Sequence, residues 1–408
     1  MTRPRAATAA ACGLFLACCS LPWVGLWNPN GVADTGLYSL YGGRMAHGLV
    51  PYRDFFLEFP PGALPAFVLP ALPRSHFVVW FHVFEALCGL GTIVCLGTIL
   101  TRLHTRDGRA YLALALAALA PAALGPITLN SFDYWPALLM TASVAALACD
   151  RTKAGFALLG VATAAKLFPA GLLALALLFT IRRHGRARVR GALVAYVAAV
   201  AVIFAPFAAL GAGGLRFSLH VQVSRGLQLE SLGATMLAAA HHLGAYDVTY
   251  TPNLAYAQLA GPFASAIATI STVAMVAAVA LVAWLYRRTP GDPRDFVEAA
   301  AATLMGIVAF AKVISPQYLL WVVALVAAAS TARRLVAPLL LLALGLTQVW
   351  VPDRFRQLQA LDWVTWVVLA RNLLLVALFA VLVRSLRERA VSGVREAART
   401  MRPRARPG

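Results

Sequence analysis

The stretch KAGFALLGVATAAKLFPAGLLALALLFTIRR, residues 153–183, decides how this chain folds. It is apolar except at its two basic ends and at Lys166. One membrane crossing would place one basic end outside, whereas basic residues collect on the cytoplasmic side. Pro169 removes a backbone donor and disfavours helix before it. We therefore predict a re-entrant pair of half-length helices over residues 154–181, with Lys166 near its tip.

The rest of the chain has the same apolar character. Of its 408 residues, 61% are hydrophobic and 12% are charged, against about 25% charged in soluble domains. The net charge of +19 lies in short arginine runs such as RRHGRARVR, residues 182–190, which indicates membrane topology rather than nucleic-acid binding. The six cysteines lie in apolar segments without metal or redox spacing. These features predict an all-α polytopic membrane protein.

The basic runs also predict the topology of the chain. The apolar run at residues 6–27 lacks a small-residue cleavage site and is interpreted as an uncleaved first span. About ten crossings then form one transmembrane domain over residues 1–383. It carries extracytoplasmic loops at 28–62 and 212–254 and a basic cytoplasmic tail at 384–408. Both termini are expected in the cytoplasm.

The first outer loop contains ADTGLYSLYGGRMAHGLVPYRDFFLEFPPG, residues 33–62. Asp34 is predicted to begin a short helix that carries Tyr38 and Tyr41 on one face. A carboxylate there could act as a general base, and helix capping is the alternative. Candidates for binding substrate in this loop are Tyr38, Arg53, Asp54 and Glu58. For the charged residues, ion pairs with one another are an equal alternative.

Basic residues near the predicted outer face are candidates for binding phosphate. The chain has three lysines, and Lys166 and Lys312 lie within or at the end of apolar spans. A charge at membrane depth is costly and points to function, with snorkelling to the interface as the alternative. In the second outer loop, Arg225 could bind a phosphate or pair with Glu230. His241 and His242 lack a third ligand nearby, so no metal site is predicted.

Four motifs in this order resemble those of the polyprenyl-phosphate-mannose-dependent mannosyltransferases. The motifs are VPYRDFFLEFPPG (50–62), AAKLFP (164–169), SRGLQLES (224–231) and SPQYLLW (315–321). These bacterial membrane enzymes belong to the GT-C class and include the phosphatidylinositol-mannoside mannosyltransferases. The resemblance extends over residues 20–330.

The resemblance implies a GT-C helical bundle with its active site on the extracytoplasmic side. It places the catalytic aspartate at Asp34 and makes Lys166 and Arg225 candidates for the donor phosphate, beside Lys312. Candidates for binding substrate in the later motifs are Gln228, Glu230, Gln317 and Tyr318. Ala33 and Thr35 flank Asp34, so the acidic pair of related protein mannosyltransferases is missing. We therefore expect no metal and no cofactor.

The leading hypothesis is an inverting glycosyltransferase in the bacterial plasma membrane. It would move a sugar from a polyprenyl-phosphate donor to a hydroxyl of a glycolipid or cell-envelope glycan. Mannose is the leading candidate for the sugar. Its partners would be the donor, the acceptor and membrane lipids, without nucleic acid. The alternatives are a flippase or transporter of lipid-linked sugars and a catalytically dead scaffold. Acids in outer loops rather than at the bilayer midplane favour the enzyme.

Overall fold

The computed structural model describes residues 2–21, 34–252 and 257–400. The predicted end of the first span and the start of the first loop, residues 22–33, lie outside the described residues, as does the tail from residue 401. The N-terminal half contains α1 (Thr2–Ser20), α2 (Thr35–Ala46), α3 (Pro65–Ala71), α4 (Phe77–Arg102), α5 (Asp107–Ala118), α6 (Ala120–Leu124), α7 (Ile127–Asn130), α8 (Tyr134–Ala148), α9 (Thr152–Ala165), α10 (Leu173–His184) and α11 (Ala187–Ser224).

The C-terminal half contains helices and one antiparallel hairpin. Its elements are α12 (Leu232–His242), β1 (Thr249–Pro252), β2 (Ala257–Ala260), α13 (Ala264–Tyr286), α14 (Pro293–Phe310), α15 (Leu319–Ser330), α16 (Val336–Trp350), α17 (Phe355–Gln359) and α18 (Val364–Thr400). Short 3-10 helices lie at Pro61–Ala63, Phe168–Leu172 and Pro316–Tyr318. In the hairpin, Thr249 pairs with Ala260.

The helix content and hydropathy are those of an all-α polytopic membrane protein. Five helices in the described part are long and apolar enough to cross a membrane: Phe77–Arg102, Asp107–Leu124, Ala187–Ser224, Ala264–Tyr286 and Val364–Ser392. The most apolar 18-residue stretch of α11 has no buried residue, as expected of a helix that faces lipid. Further apolar helices have 10–17 residues, and the number of about ten crossings stays a prediction.

The core lies around α14 and α15. Every residue of α15 is buried, and so is every residue of α14 from Asp295 to Ala309. Neighbouring helices therefore cover α15, and α14 from Asp295 to Ala309, on all sides. Helices α4, α8, α9 and α11 pack in that order on one side, and α13 and α18 pack on α14.

Helix α9 ends at Ala165, and Lys166 has an extended backbone (φ −149°, ψ 144°). The 3-10 turn at Phe168–Leu172 and helix α10 follow. The structure therefore has two short helices with a break at Lys166. That both helices enter and leave on one side of the membrane stays a prediction.

Helix α11 is longer than the sequence indicates, because residues 212–224 of the predicted outer loop are helical. Gly211 has a non-helical backbone (φ −153°, ψ 46°) and kinks the helix without ending it. A Cβ on Gly214 would lie 2.0 Å from the carbonyl oxygen of Tyr52. The glycine at this position therefore serves close packing against the first loop rather than helix termination.

Candidate active site

A cavity of about 1430 Å³ collects most of the residues predicted for the site. The predicted residues that line it are Asp34, Tyr38, Glu58, Lys166, Arg225, Gln228, Glu230, Lys312, Gln317 and Tyr318. Pockets for small ligands typically enclose about 300–1000 Å³, so this one has room for a larger substrate or for two.

Asp34 immediately precedes α2, and its side chain is exposed to the cavity. The carboxylate makes no capping hydrogen bond and instead accepts one from the Tyr38 hydroxyl at 3.3 Å. The protein around the cavity displaces part of the water from the carboxylate, and this desolvation raises the pKa of Asp34. The Tyr38 hydrogen bond partly offsets that rise. A carboxylate with a raised pKa that still contacts the cavity suits a general base.

An aromatic cluster holds Tyr38 in place. Its ring stacks on Phe67 at 4.9 Å and meets Phe132 edge-on at 5.6 Å. The side chain of Tyr38 is 2% exposed. Because the ring has no room to move, its hydroxyl has a defined position beside Asp34.

Lys166 lies in an aromatic cage at the break between α9 and α10. Its ammonium lies 4.3 Å from the ring centre of Phe132 and 4.9 Å from that of Trp321. The ammonium also donates to Asp133, which accepts a second hydrogen bond from Trp321 Nε1 at 2.6 Å. The cation is thus stabilised by a carboxylate and by ring faces.

Sequence reasoning missed Asp133. The residue lies in a short polar segment between two apolar helices, and its side chain is 1% exposed. A single acid in such a segment could have indicated a buried ion pair, because a buried carboxylate needs a cationic partner. Which cation it meets could not be read from the sequence, since Lys166 is 33 residues away.

Arg225 pairs with Glu58, not with Glu230, which was the alternative partner predicted for it. The distance from Arg225 Nη2 to Glu58 Oε2 is 3.3 Å, and both side chains are about nine-tenths buried. Burial raises the pKa of Glu58, and the Arg225 charge lowers it in part. Gln222 donates to the carbonyl oxygen of Glu58 at 2.7 Å and so ties α11 to the first loop.

The segment around Gln228 joins the other polar groups of the cavity. Its side chain donates to the Glu230 carboxylate and, at 2.9 Å, to Ser315 Oγ, while its backbone N–H donates to the Lys312 carbonyl. Burial raises the pKa of Glu230 to about 7, against the lowering effect of Arg371. Asn372 donates to the Glu230 carbonyl at 3.1 Å.

Strand β2 positions the Gln228 segment at the cavity, and the 3-10 turn at 316–318 carries Gln317 and Tyr318 there. Leu229 N–H donates to the Ala257 carbonyl, which pins the Gln228 segment to the hairpin. Lys312 donates to the Val223 carbonyl at 3.2 Å, at the end of α11. Gln317 and Tyr318 lie on the 3-10 turn, and the ring of Tyr318 stacks on Trp321 at 3.9 Å.

Arg53 and Asp54, which were also candidates for binding substrate, do not line the cavity. Arg53 Nε lies 2.8 Å from Asp54 Oδ1, and Asp54 also accepts from the Val50 N–H at 2.7 Å. The Arg53 guanidinium lowers the pKa of Asp54 to about 2. These adjacent residues form an exposed turn, so the ion-pair alternative is the one that the structure contains.

One wall of the cavity is apolar and runs along α13. The residues of this wall on α13 are Thr272, Met275, Val276, Val279, Ala280 and Ala283. Their spacing of three and four residues places them on one face. At 1.5 Å per residue the stripe is about 16 Å long.

Across residues 2–21, 34–252 and 257–400, no group of three or more His, Cys, Asp or Glu could hold a metal ion.

The comparison with family models gives a match over residues 56–316, which is more than half of the chain. The matching model is that of Glycosyltransferase family 87. The matched part includes Glu58, Lys166 and Arg225 and begins after Asp34. No curated protein matches the chain significantly. The match supports the transferase class and does not support the flippase alternative. The chain therefore belongs to glycosyltransferase family 87, a family of GT-C-like membrane glycosyltransferases.

Proposed function

We propose that this chain is an inverting mannosyltransferase that uses a polyprenyl-phosphate-linked donor. It acts on a hydroxyl of a glycolipid or cell-envelope glycan at the outer face of the bacterial plasma membrane, with both termini in the cytoplasm. The observation that carries this proposal is the composition of one cavity. Three carboxylates, among them Asp34, three cationic side chains and a long apolar wall all line it.

The apolar wall supports a lipid-linked donor. A nucleotide sugar has no apolar part that would gain from burial along the stripe on α13. A polyprenyl chain that packs against the stripe loses contact with water. This burial favours binding by about 25 cal/mol for each Å² of apolar surface. The phosphate would then lie at the polar end of the cavity, near Lys166, Arg225 and Lys312.

Asp34 has the position and chemistry of the base. Its carboxylate takes the proton of the acceptor hydroxyl, and the acceptor oxygen attacks the anomeric carbon from the side opposite the phosphate. The bond between the anomeric carbon and the phosphate oxygen breaks, and the phosphate keeps the electron pair. Lys166 and Arg225 stabilise the charge that develops on it. Attack from the opposite face inverts the anomeric configuration.

The test is transfer of radiolabelled mannose from polyprenyl phosphate by purified protein in nanodiscs, with a membrane-lipid extract as acceptor. We expect Asp34→Asn to lower turnover by about 10²- to 10⁴-fold, the usual contribution of a general base. Binding of the donor should persist, because the amide is isosteric. Asp54→Asn is the matched control, since Asp54 lies in the same loop but outside the cavity. Its turnover should equal that of the wild type.

Two results would overturn the proposal. Full turnover by the Asp34→Asn variant would remove Asp34 as the base. Movement of labelled donor across the bilayer of proteoliposomes, without any mannosylated product, would replace the transferase by a transporter.

A further inference from the structure

The Asp133 carboxylate is placed behind the active-site cavity rather than in it. Its neighbour Phe132 and both of its hydrogen-bond donors, Lys166 and Trp321, line the cavity, but Asp133 does not. Asp133 can therefore act on a substrate only through these neighbours.

Packing alone does not account for an aspartate at this position. Asp133 Oδ1 accepts both hydrogen bonds, while the buried Oδ2 has no hydrogen-bond partner among the residues that the structure describes. A buried carboxylate oxygen without a partner reduces stability. A well-packed apolar pair in place of Asp133 and Lys166 would cost less. A role in the site gives a reason to keep the charge.

The other carboxylates near Lys166 show what that role is. Glu58 is paired with Arg225. Asp34 accepts a hydrogen bond from the neutral Tyr38, and its pKa, which burial raises, is lowered in part by the charge of Lys166. The charge of Lys166 acts on Asp34, on Glu58 and on the buried Glu85, and Glu85 does not line the cavity. Without Asp133, the ammonium would therefore turn to Asp34, which lines the cavity and has no cationic partner among the residues that the structure describes. An ion pair between them would favour the ionised form of Asp34 and so make it a weaker base.

We propose that Asp133 is a positioning residue: it holds the Lys166 ammonium against the rear wall of the cavity. In this position the ammonium can donate to the phosphate of the donor and does not pair with Asp34. The inference rests on the proposed function, since it assigns Asp133 a part in the same transfer.

The experiment is a double-mutant cycle with Asp133→Asn and Lys166→Met in the full-length protein. Kinetic constants for mannose transfer are measured with polyprenyl-phosphate mannose as the varied substrate. We expect Asp133→Asn to lower kcat by about 10- to 100-fold, as the loss of outer partners of a site residue does. The donor KM should change by less than about threefold, because Lys166 keeps its charge and because Arg225 and Lys312 still line the cavity for the donor phosphate. In the Lys166→Met background, Asp133→Asn should lower kcat no further.

If Asp133→Asn folds poorly, two further variants still test the role of Asp133. Trp321→Phe keeps the ion pair but removes the indole donor to Asp133, and it should lower kcat in the same direction by a smaller factor. Asp295→Asn is the matched control. Asp295 is also fully buried and paired with an arginine, Arg389, but it lies at the start of α14 and away from the cavity. Its loss should reduce thermal stability and leave kcat within about twofold.

The possible outcomes separate this inference from the proposed function. Loss of kcat that disappears in the Lys166→Met background supports it. Wild-type kcat in Asp133→Asn, or equal losses in both backgrounds, overturns it while leaving the transferase intact. A wild-type protein that transfers no mannose overturns the proposed function and this role together.

Discussion

The hydrogen bond from Tyr38 to Asp34 gives a quantitative prediction for Tyr38→Phe. The substitution removes the hydroxyl and keeps the ring, which stacks on Phe67 at 4.9 Å and is almost fully buried. Packing should therefore be preserved, so any change in activity reports the loss of the hydrogen bond.

The expected size follows from the geometry. At 3.3 Å the bond is longer than the usual 2.7–2.8 Å between hydroxyl and oxygen, so the low end of the range for charged partners applies, about 1.5 kcal/mol. One pH unit corresponds to about 1.4 kcal/mol. The hydroxyl stabilises the ionised carboxylate, so its loss raises the pKa of Asp34 further.

The sign for activity follows from the role of the base. Asp34 is active when ionised, so activity is lost as the pH falls through its pKa. In Tyr38→Phe the acidic limb of kcat/KM should move up by about one pH unit, and the high-pH plateau should change little. The assay is mannose transfer from pH 4.5 to 8.5, a range in which the phosphodiester of the donor stays ionised.

Tyr41→Phe is the matched control, because Tyr41 is buried on the same face of α2 and also lines the cavity. The hydrogen bond to Asp34 comes from Tyr38 and not from Tyr41. The reasoning is refuted if the acidic limb of Tyr38→Phe coincides with that of the wild type. It is also refuted if Tyr41→Phe shifts the limb by the same amount.

Two further predictions concern stability. Gly214→Ala should destabilise the fold by about 1–3 kcal/mol, because its Cβ would lie 2.0 Å from the Tyr52 carbonyl oxygen. Thermal unfolding in detergent checks this, and Gly213→Ala, with no atom within 4 Å of its Cβ, should unfold like the wild type. Arg225→Met should cost about 3–5 kcal/mol, because it leaves the buried Glu58 carboxylate without its cation. Adding Glu58→Gln should recover more than half of that loss in chemical denaturation, and purely additive costs would show that the pair is not a stabilising unit.

Several parts of the fold could be predicted from the sequence because they depend on neighbouring residues. The helix after Asp34 and the common face of Tyr38 and Tyr41 follow from helical spacing, and both tyrosines are buried in α2. The break at Lys166 follows from the proline that comes three residues later. The sequence analysis began the second outer loop at residue 212, whereas α11 continues to Ser224 and is kinked at Gly211. The close contact of Gly211 and Gly214 with Tyr52 depends on packing between distant segments.

By itself, the sequence determined the membrane class and indicated most of the polar residues that line the cavity. Apolar run length and motif order are local properties, and they indicated Asp34, Lys166 and Arg225 without a structure. Only the tertiary structure decided how the charges pair. It joins Lys166 to the unexpected Asp133 and joins Arg225 to Glu58 across 167 residues of chain. The choice of partner for a buried charge depends on which helices pack together, and the residue types alone do not contain that information.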